Sequence, residues 1–436
     1  MTLDIGKRIY SSEVQQKKEG SEAIVAGWAA EVRSLGKIAF VKLRDREGIL
    51  QLVSTDSKII DKVSKISHES VLVAKGKVQA SKQKAGGKEL QLEEFEIISE
   101  ADPRLPIDMS GKIQTDLSKR LDWRVLDLRH TKNIAIFKIQ SKLVEGAIEW
   151  LTQNGFTITF TPCLLGIPSE SGSEMFAVPY FDKTAYLRQD PQLHRQLTVI
   201  GGVEKVADIG TSWRAEMSNT PRHLTEHRTL AVESGFIKDE YNIMKIEEGL
   251  VVAMIKKVLQ ECKEELKHFP SAALEVPKTP FPVLEFPEVY KILEKMGHKE
   301  HKIDPEAERL LAKHVKEKHK SDFFFLNRFP FDEKPFYVMR NDSDKKFARS
   351  TDMIYRGVEL SSGGQREHRY DKLMDNIKYK KMNPKLVEWF TQFFKYGACP
   401  HGGFCIGIER ITMQLLGLDN IREAVLFPRD PQRLTP

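Results

Sequence analysis

The stretch SWRAEMSNTPRHLTEH, residues 212–227, carries side chains suited to binding phosphate groups. Arg214 and Glu216 are two positions apart, so on a strand they point to the same face. A polar loop follows, and Arg222 and His223 come at its end. Because a guanidinium can donate two parallel hydrogen bonds to phosphate oxygens, this grouping predicts a nucleotide triphosphate site. A surface hairpin held by ion pairs is the alternative.

A second stretch, QDPQLHRQ at residues 189–196, combines one carboxylate with basic and amide side chains. Asp190, Gln192 and Arg195 could form the wall of a pocket for a small acidic molecule. They could equally lie on the exposed start of a helix, where charged residues are common. The stretch alone leaves both interpretations open.

A third stretch, GGFCIGIERITMQLLG at residues 402–417, contains glycines that allow the backbone to approach a flat ligand closely. A helix is expected to begin near Glu409 and Arg410. The sequence has no GxxxxGK[ST] motif, which argues against a Walker-type nucleotide site.

The elements that position these residues belong to a chain of 436 residues with a formal net charge of +6. This mild charge permits nucleic-acid binding without requiring it. The four cysteines form neither a CxxC pair nor a cluster with metal-ligand spacing, so reduced thiols are expected. With no apolar leader and no long apolar run, the sequence predicts a cytoplasmic protein without membrane contact.

Residues 1–103 are predicted to form a β-barrel of the OB type. Five segments alternate β-branched and polar residues between glycine or charged turns: EAIVAGWAAEV, KIAFVKLRD, GILQLVS, ESVLVAKGKVQAS and KELQLEEFEIIS. A helical stretch separates the third from the fourth. Such barrels bind single-stranded nucleic acid on one face. Basic residues around Phe40 fit a base-stacking platform, although a solvated sheet face would show the same pattern.

Residues 104–133 are predicted to be a linker or hinge, and residues 134–436 a second domain of the α+β class. NIAIFKIQSKLVEGAIEWLTQNG has the apolar spacing of a long helix that ends at Asn154-Gly155. Further helices are expected near 240–267 and 305–318. Strands are expected at FTITFTP, KVADIGTSWRAE, LAVESGF, PFYVMR, YRGVELSS and GFCIGIE. This pattern indicates a largely antiparallel sheet flanked by helices.

Taken in order, these stretches resemble the three signature motifs of class II aminoacyl-tRNA synthetases. The first motif is the strand that ends at Pro162, the second is RAE with RH after its loop, and the third is GIER near the C-terminus. PQLxxQ at 191–196, YRGVELSSGGQREHR at 355–369 and the terminal LFPRDPQRLTP are most similar to aspartyl-tRNA synthetases of the archaeal and eukaryotic type. The resemblance spans residues 20–436.

The resemblance implies ATP and Mg²⁺ as cofactors. It assigns ATP binding to Arg214, Glu216, Arg222, His223, His227, Glu359 and Arg410. Of these, Arg214, Glu216 and Arg410 would be catalytic: Arg214 would hold the α-phosphate, Glu216 would read the adenine amino group and Arg410 would stack on the ring. Glu359 and Ser362 would hold the metal, because Mg²⁺ prefers hard oxygen ligands beside phosphates.

In the first domain the resemblance implies recognition of the tRNA anticodon by Arg33, Phe40 and Gln51. Ala30 stands where some members have a large aromatic side chain that helps to read the first anticodon base. Both tRNA(Asp) and tRNA(Asn) are therefore candidate partners. The resemblance also implies a homodimer, formed through the strand that ends at Pro162 and the helix before it.

The family usually reads QSPQLYKQ at 189–196, within its amino-acid pocket. The corresponding substrate-binding residues here are Glu170, Asp190, Gln192, Arg195, Ser362 and Arg366. Arg195 and Arg366 would clamp a side-chain carboxylate, which favours L-aspartate over asparagine. Three residues depart from the family: Asp190 replaces serine, Ala231 replaces the aspartate that usually holds the substrate ammonium, and Ser171 replaces a glycine beside Glu170.

The implied function is that of an aspartyl-tRNA synthetase in which Asp190 compensates for Ala231. Two alternatives keep the family fold but change the pocket. The chain could be a resistance-type duplicate that tolerates analogues of aspartyl-adenylate, or an adenylate-forming enzyme for another acid. A protein that only binds RNA is a third alternative, but it would not need the set Arg214, Glu216, Glu359 and Arg410.

Overall fold

Five strands of the first unit close into a barrel in the computed structural model, which describes residues 3–82, 86–166, 175–215, 217 and 220–436. The chain divides into two units, Met1–Thr131 and Lys132–Pro436. The elements of the first unit are α1 (Ser11–Gln16), β1 (Glu22–Ser34), β2 (Ala39–Arg44), β3 (Ile49–Ser54), α2 (Ser57–Val63), β4 (Val71–Ala80), β5 (Lys88–Ser99), α3 (Leu117–Asp122) and α4 (Arg124–Asp127).

The barrel has the strand order β1-β2-β3-β5-β4, with β3 and β5 parallel and the other pairs antiparallel. All five predicted strands form, because the apolar residue of each alternation faces the barrel core. Asp56 begins α2 by accepting hydrogen bonds from the amides of Lys58 and Ile59. The prediction of an OB-type barrel is confirmed. The helices α3 and α4 lie within the stretch 104–133 that was predicted as a linker.

The second unit is built on an eight-stranded sheet. Its elements are α5 (Thr131–Gln153), β6 (Thr157–Thr159), β7 (Leu164–Leu165), β8 (Ala177–Tyr180), β9 (Lys183–Leu187), α6 (Gln192–Thr198), β10 (Lys205–Trp213), β11 (Glu226–Gly235), α7 (Glu240–Glu261), α8 (Lys263–Leu266), β12 (Val283–Glu285), α9 (Glu288–Lys295), α10 (Pro305–His319), β13 (Phe323–Asn327), β14 (Ser350–Tyr355), β15 (Val358–Gln365), α11 (Tyr370–Tyr379), α12 (Glu388–Thr391), β16 (His401–Gly407) and α13 (Ile408–Leu416).

The sheet order is β12-β13-β14-β15-β16-β11-β10-β6. Its interior pairs are antiparallel, and parallel pairs stand at both edges, β12 with β13 and β6 with β10. The strands β7, β9 and β8 form a separate small sheet. The prediction of an α+β domain with helices flanking the sheet is confirmed. Among the described residues, no helix has the length and hydropathy of a membrane-spanning segment.

The main core lies between the sheet and the helices α5, α7 and α13. Leu230 and Val232 of β11 belong to this core, as do Phe404 and Ile406 of β16. Because side chains alternate along a strand, the residues between them point to the other face. That face carries the candidate site.

Two predicted strands differ from the structure. PFYVMR does not form a strand, because Val338 donates its amide to the carbonyl of Pro335 in a turn and then makes only an isolated bridge with Arg366. The strand predicted to end at Pro162 is short, since β6 pairs with β10 over three residues and ends at Thr159.

Candidate active site

A cavity of about 210 Å³ opens over β11, β15 and β16. It brings together residues that are far apart in the sequence. Six of the seven predicted ATP ligands line it: Arg214, Arg222, His223, His227, Glu359 and Arg410. The seventh, Glu216, lies outside the described residues. Arg214 stands just beyond the end of β10 at Trp213 rather than within the strand.

His227 and Arg410 provide flat groups at the end of the cavity that carries the predicted ATP ligands. Burial, together with the positive charges of Arg214 and Arg410, lowers the pKa of His227 to about 3. The ring is therefore neutral at neutral pH. Arg410 is held in place by Glu359, since its Nη1 donates to the Glu359 carbonyl at 3.1 Å and lies 3.5 Å from Oε1. A neutral imidazole and a fixed guanidinium plane are both suited to stacking on a base.

The loop after β10 carries Arg222 and His223, two of the predicted ATP ligands. The His223 ring lies 2.5 Å from the Thr220 hydroxyl, measured from Nδ1 to Oγ1. Arg222 Nη1 lies 3.8 Å from Oε2 of Glu308 on α10. Burial and the nearby Glu359 carboxylate raise the pKa of Glu308 to about 7. Glu308 was not singled out in the sequence, because nothing in the pattern of α10 shows that it faces this loop.

The predicted metal ligands Glu359 and Ser362 both line the cavity. A bulge makes this possible, because Met353 pairs with Ser361 and Ile354 pairs with Glu359, which leaves Leu360 as an extra residue. On a regular strand, positions three apart would face opposite sides.

Asp352 on β14 is a third oxygen donor that the sequence analysis did not identify. Its carboxylate accepts a hydrogen bond from the Ser362 hydroxyl at 2.6 Å and two from Lys334 Nζ at 2.9 and 3.1 Å. Desolvation and the Asp352 carboxylate raise the pKa of Glu359, while Lys334 and Arg410 are the cations paired with these two carboxylates. Within the described residues no group of three or more His, Cys, Asp or Glu forms a metal site. The arrangement fits Mg²⁺, which takes one or two carboxylates and leaves other positions to phosphates and water.

Arg366, one of the predicted substrate-binding residues, lines the other end of the cavity. Its side chain is 5% exposed, and it donates to both carboxylate oxygens of Glu233, at 2.9 Å from Nε and 3.3 Å from Nη2. Nη2 also donates to Gln192 Oε1 at 3.1 Å and to the Gly403 carbonyl at 2.9 Å. Glu233 itself was missed, although it lies two residues after Ala231 and therefore on the same face of β11.

Asp190 and Arg195 form a bidentate ion pair. The Nη1–Oδ1 distance is 2.6 Å and the Nη2–Oδ2 distance is 3.0 Å. Burial alone would raise the pKa of Asp190, but the Arg195 guanidinium lowers it, so the pair is ionised. Asp190 lines the cavity, whereas Arg195 lies behind it and its side chain is 1% exposed. The stretch 189–196 is therefore a pocket wall, and Gln192 and Arg195 are buried on α6.

Of the departures from the family pattern, Asp190 lines this end of the cavity. Ala231 is fully buried on β11, opposite Asp208 of β10 and Cys405 of β16. Cys405 lines the cavity. The predicted pocket residue Glu170 and its neighbour Ser171 lie outside the described residues.

A second cavity, of about 640 Å³, lies on the barrel of the first unit. It brings the predicted anticodon residues Arg33, Phe40 and Gln51 together. Gln51 Nε2 donates to the Glu89 carboxylate at 2.8 Å. Arg33 forms an ion pair with Glu31. Basic, aromatic and amide groups in one concave surface are typical of a site for single-stranded nucleic acid.

Residues 116–431 match the family described as tRNA synthetases class II (D, K and N), and residues 23–98 match the OB-fold nucleic acid binding domain. The chain belongs to the class II aminoacyl-tRNA synthetases, and it is an aminoacyl-tRNA ligase with an OB-fold domain that binds tRNA. The predicted resemblance is confirmed.

The chain is similar over nearly its whole length to aspartate–tRNA ligases and to an asparaginyl-tRNA synthetase. The chain is 40% identical over 434 residues to the aspartate–tRNA(Asp) ligase of Pyrococcus horikoshii, covering 98% of this chain and 99% of the relative. It is also 40% identical over 437 residues to the aspartate–tRNA(Asp/Asn) ligase of Methanopyrus kandleri, covering 99% and 100%. Among solved structures, P. horikoshii asparaginyl-tRNA synthetase complexed with asparaginyl-adenylate has a TM-score of 0.92 at 34% identity, covering 98% of this chain and 99% of that one.

Proposed function

We propose that this chain activates L-aspartate with ATP to form aspartyl-adenylate and transfers the aspartyl group to tRNA(Asp). The observation that carries the proposal is the buried Arg366 guanidinium at the end of the cavity opposite Arg214 and Arg410. A guanidinium suits a side-chain carboxylate, and relatives 40% identical over nearly the whole chain are named aspartate–tRNA ligases. The tRNA(Asp/Asn) relatives make tRNA(Asn) a second candidate acceptor.

The reaction needs no protein nucleophile. The α-carboxylate of the amino acid forms a bond to the α-phosphorus of ATP, and pyrophosphate leaves. A terminal ribose hydroxyl of the tRNA then attacks the adenylate carbonyl, and AMP leaves. Arg214 stabilises the charge that develops on the α-phosphate, while His227 and Arg410 hold the adenine between them. Catalysis therefore rests on positioning and electrostatics.

Glu359 and Ser362 would hold Mg²⁺, with Asp352 orienting the Ser362 hydroxyl. When bound there, the ion would neutralise phosphate charge and help to fix the nucleotide. Lys334, which already donates to Asp352, adds a positive charge to the same wall of the cavity.

Three further parts of the proposal concern partners and location. The barrel cavity would bind the anticodon, with Phe40 stacking on a base and Gln51 and Arg33 beside it. A homodimer would form along the β6 edge of the sheet, where the ring of Phe160 is 86% exposed just before Pro162. We place the enzyme in the cytoplasm, where tRNA is charged.

A remodelled pocket is the second candidate. Asp190 covers Arg195 and Ala231 supplies no carboxylate, which are the changes expected if the pocket excludes an aspartate analogue or accepts another acid.

Amino-acid-dependent exchange of pyrophosphate into ATP tests the proposal directly. The purified chain is assayed with aspartate, asparagine, glutamate and β-substituted aspartates, and then aminoacylation is measured with tRNA(Asp) and tRNA(Asn). Arg214→Ala serves as a control that should lose exchange with every amino acid. Exchange that depends on aspartate supports the proposal. Exchange with another acid but not with aspartate would replace it with the remodelled-pocket alternative.

A further inference from the structure

The amino-acid end of the cavity contains one continuous network of charged and amide side chains. Gln192 Oε1 accepts from Arg195 Nη2 at 2.8 Å and from Arg366 Nη2 at 3.1 Å. Gln192 Nε2 donates to Glu233 Oε2 at 2.8 Å. Asp190 and Glu233 then bind the outer sides of the two guanidinium groups. The network therefore runs from the cavity surface at Asp190 to the strand face at Glu233.

The network is balanced in charge, with two guanidinium groups matched by two carboxylates. The third guanidinium nearby, that of Arg188, lies 3.4 Å from the Asp208 carboxylate, which also accepts the Thr161 hydroxyl. Each of these three guanidinium groups therefore has one carboxylate partner. A substrate with an anionic side chain would therefore add a charge to a site that is already neutral.

We propose that Asp190 is an internal competitor of the substrate's side-chain carboxylate: it occupies the guanidinium of Arg195 and so sets the preference between aspartate and asparagine. The inference rests on the proposed function and deepens it by assigning Asp190 the role of a specificity-determining residue. Its position supports this role, because Asp190 is 34% exposed and lines the cavity while Arg195 lies behind it with 1% of its side chain exposed.

Aspartate and asparagine would make different contacts with the Asp190–Arg195 pair. The side-chain carboxylate of aspartate reaches Arg195 only when Asp190 gives up its two hydrogen bonds. The amide of asparagine can donate to Asp190 and accept from Arg366 with both ion pairs intact. Asp190 thus weakens the binding of aspartate and favours the neutral amide. Removing its charge exposes a guanidinium without a counter-ion, which an anionic side chain can satisfy.

A role for Asp190 in holding the substrate ammonium makes a different prediction. Both amino acids carry the same ammonium group, so loss of that contact would weaken both by the same factor. The two roles therefore separate in the ratio of KM values for aspartate and asparagine.

The first experiment measures pyrophosphate exchange with Asp190→Ser and with the shape-matched Asp190→Asn. We expect Asp190→Ser to lower the KM for aspartate by roughly tenfold, or ~1.4 kcal/mol, with kcat little changed. A larger effect is not expected, because water screens the partly exposed pair. The KM for asparagine should not fall, and Asp190→Asn should shift the ratio in the same direction. Equal increases for both amino acids, or an unchanged ratio, would overturn the proposal.

The second experiment does not require activation of any amino acid. Succinate has two carboxylates and no ammonium, so its binding reports on the guanidinium groups alone. It should raise the Tm of both Asp190 variants more than that of the unchanged protein, whose Arg195 is already paired. An equal rise in all three proteins contradicts the role of Asp190. A larger rise in the variants, in a chain that shows no exchange with aspartate, would keep the role of Asp190 and reject the proposed function.

Discussion

Replacement of Arg366 by alanine should strongly reduce aspartate activation and should also destabilise the second unit. The side chain makes four hydrogen bonds, two of them to Glu233, whose side chain is 0% exposed. Alanine leaves Glu233 as a buried carboxylate without its cation, and breaking a buried pair in this way costs about 3–5 kcal/mol. We therefore expect the Tm to fall on the order of 10 °C. Loss of the charged contact to substrate adds a fall in kcat/KM of roughly 100-fold.

The assay must separate these two effects. Pyrophosphate exchange is measured at a temperature well below the Tm of the variant, and thermal unfolding is followed by circular dichroism in the same buffer. The double variant Arg366→Met, Glu233→Gln is the matched control, because it removes both charges and keeps side-chain volume. It should regain most of the lost stability without regaining exchange with aspartate.

Two results would refute this reasoning. Wild-type exchange with aspartate in folded Arg366→Ala would show that Arg366 does not contact the substrate. A double variant as unstable as the single one would show that the unpaired Glu233 carboxylate is not the source of the instability.

Three further predictions concern other parts of the chain. His227→Phe should keep ATP binding, because phenylalanine can also stack on the base. The pKa of His227 in the folded protein, about 3, lies below the ordinary 6.5, so His227 lowers the free energy of unfolding as the pH falls below 6.5. The Tm of the variant should therefore fall less than that of the unchanged protein between pH 6.5 and 4. Glu247 bonds to Ser361, and burial raises its pKa to about 8, so stability is lost as the pH rises from 4.5 toward 8. Glu247→Gln should therefore raise the Tm at pH 8 by roughly 3 °C or more and have little effect at pH 4.5. Phe40→Ala should raise the KM for tRNA at least about tenfold through lost stacking and leave pyrophosphate exchange unchanged, which filter-binding and exchange assays can check.

The fold could be predicted where local pattern and tertiary environment agree. Each barrel strand alternates between core and solvent, so its sequence shows its position directly. Local pattern and tertiary environment disagree in PFYVMR, where an apolar run begins with a turn at Pro335 and then makes only the isolated bridges Val338–Arg366 and Arg340–Ala348. The small sheet of β7, β8 and β9 was missed as well, because strands of two to five residues are too short for a periodic signal.

Residue types at the site could be predicted, but their pairing could not. The motifs placed Arg195 and Arg366 in one pocket, and the structure brings them together through Gln192. Which carboxylate each guanidinium binds depends on distances across α6, β11 and β16 that no spacing in the sequence contains. Asp352 shows the same limit, since it lies in a buried strand and comes close to the predicted metal ligand Ser362 only through the pairing of β14 with β15.

The two departures from the family pattern, Asp190 and Ala231, both affect the net charge of the empty pocket. Ala231 lies on β11 two residues before Glu233 and on the same face. The guanidinium groups of Arg188, Arg195 and Arg366 each already have one carboxylate partner. A further carboxylate at 231 would be buried without a cation until a substrate arrived, which is unfavourable by several kcal/mol in the empty site. Because Asp190 is already paired with Arg195, an uncharged residue at 231 keeps the empty pocket neutral. The substrate ammonium must then pair with a different carboxylate along the cavity wall.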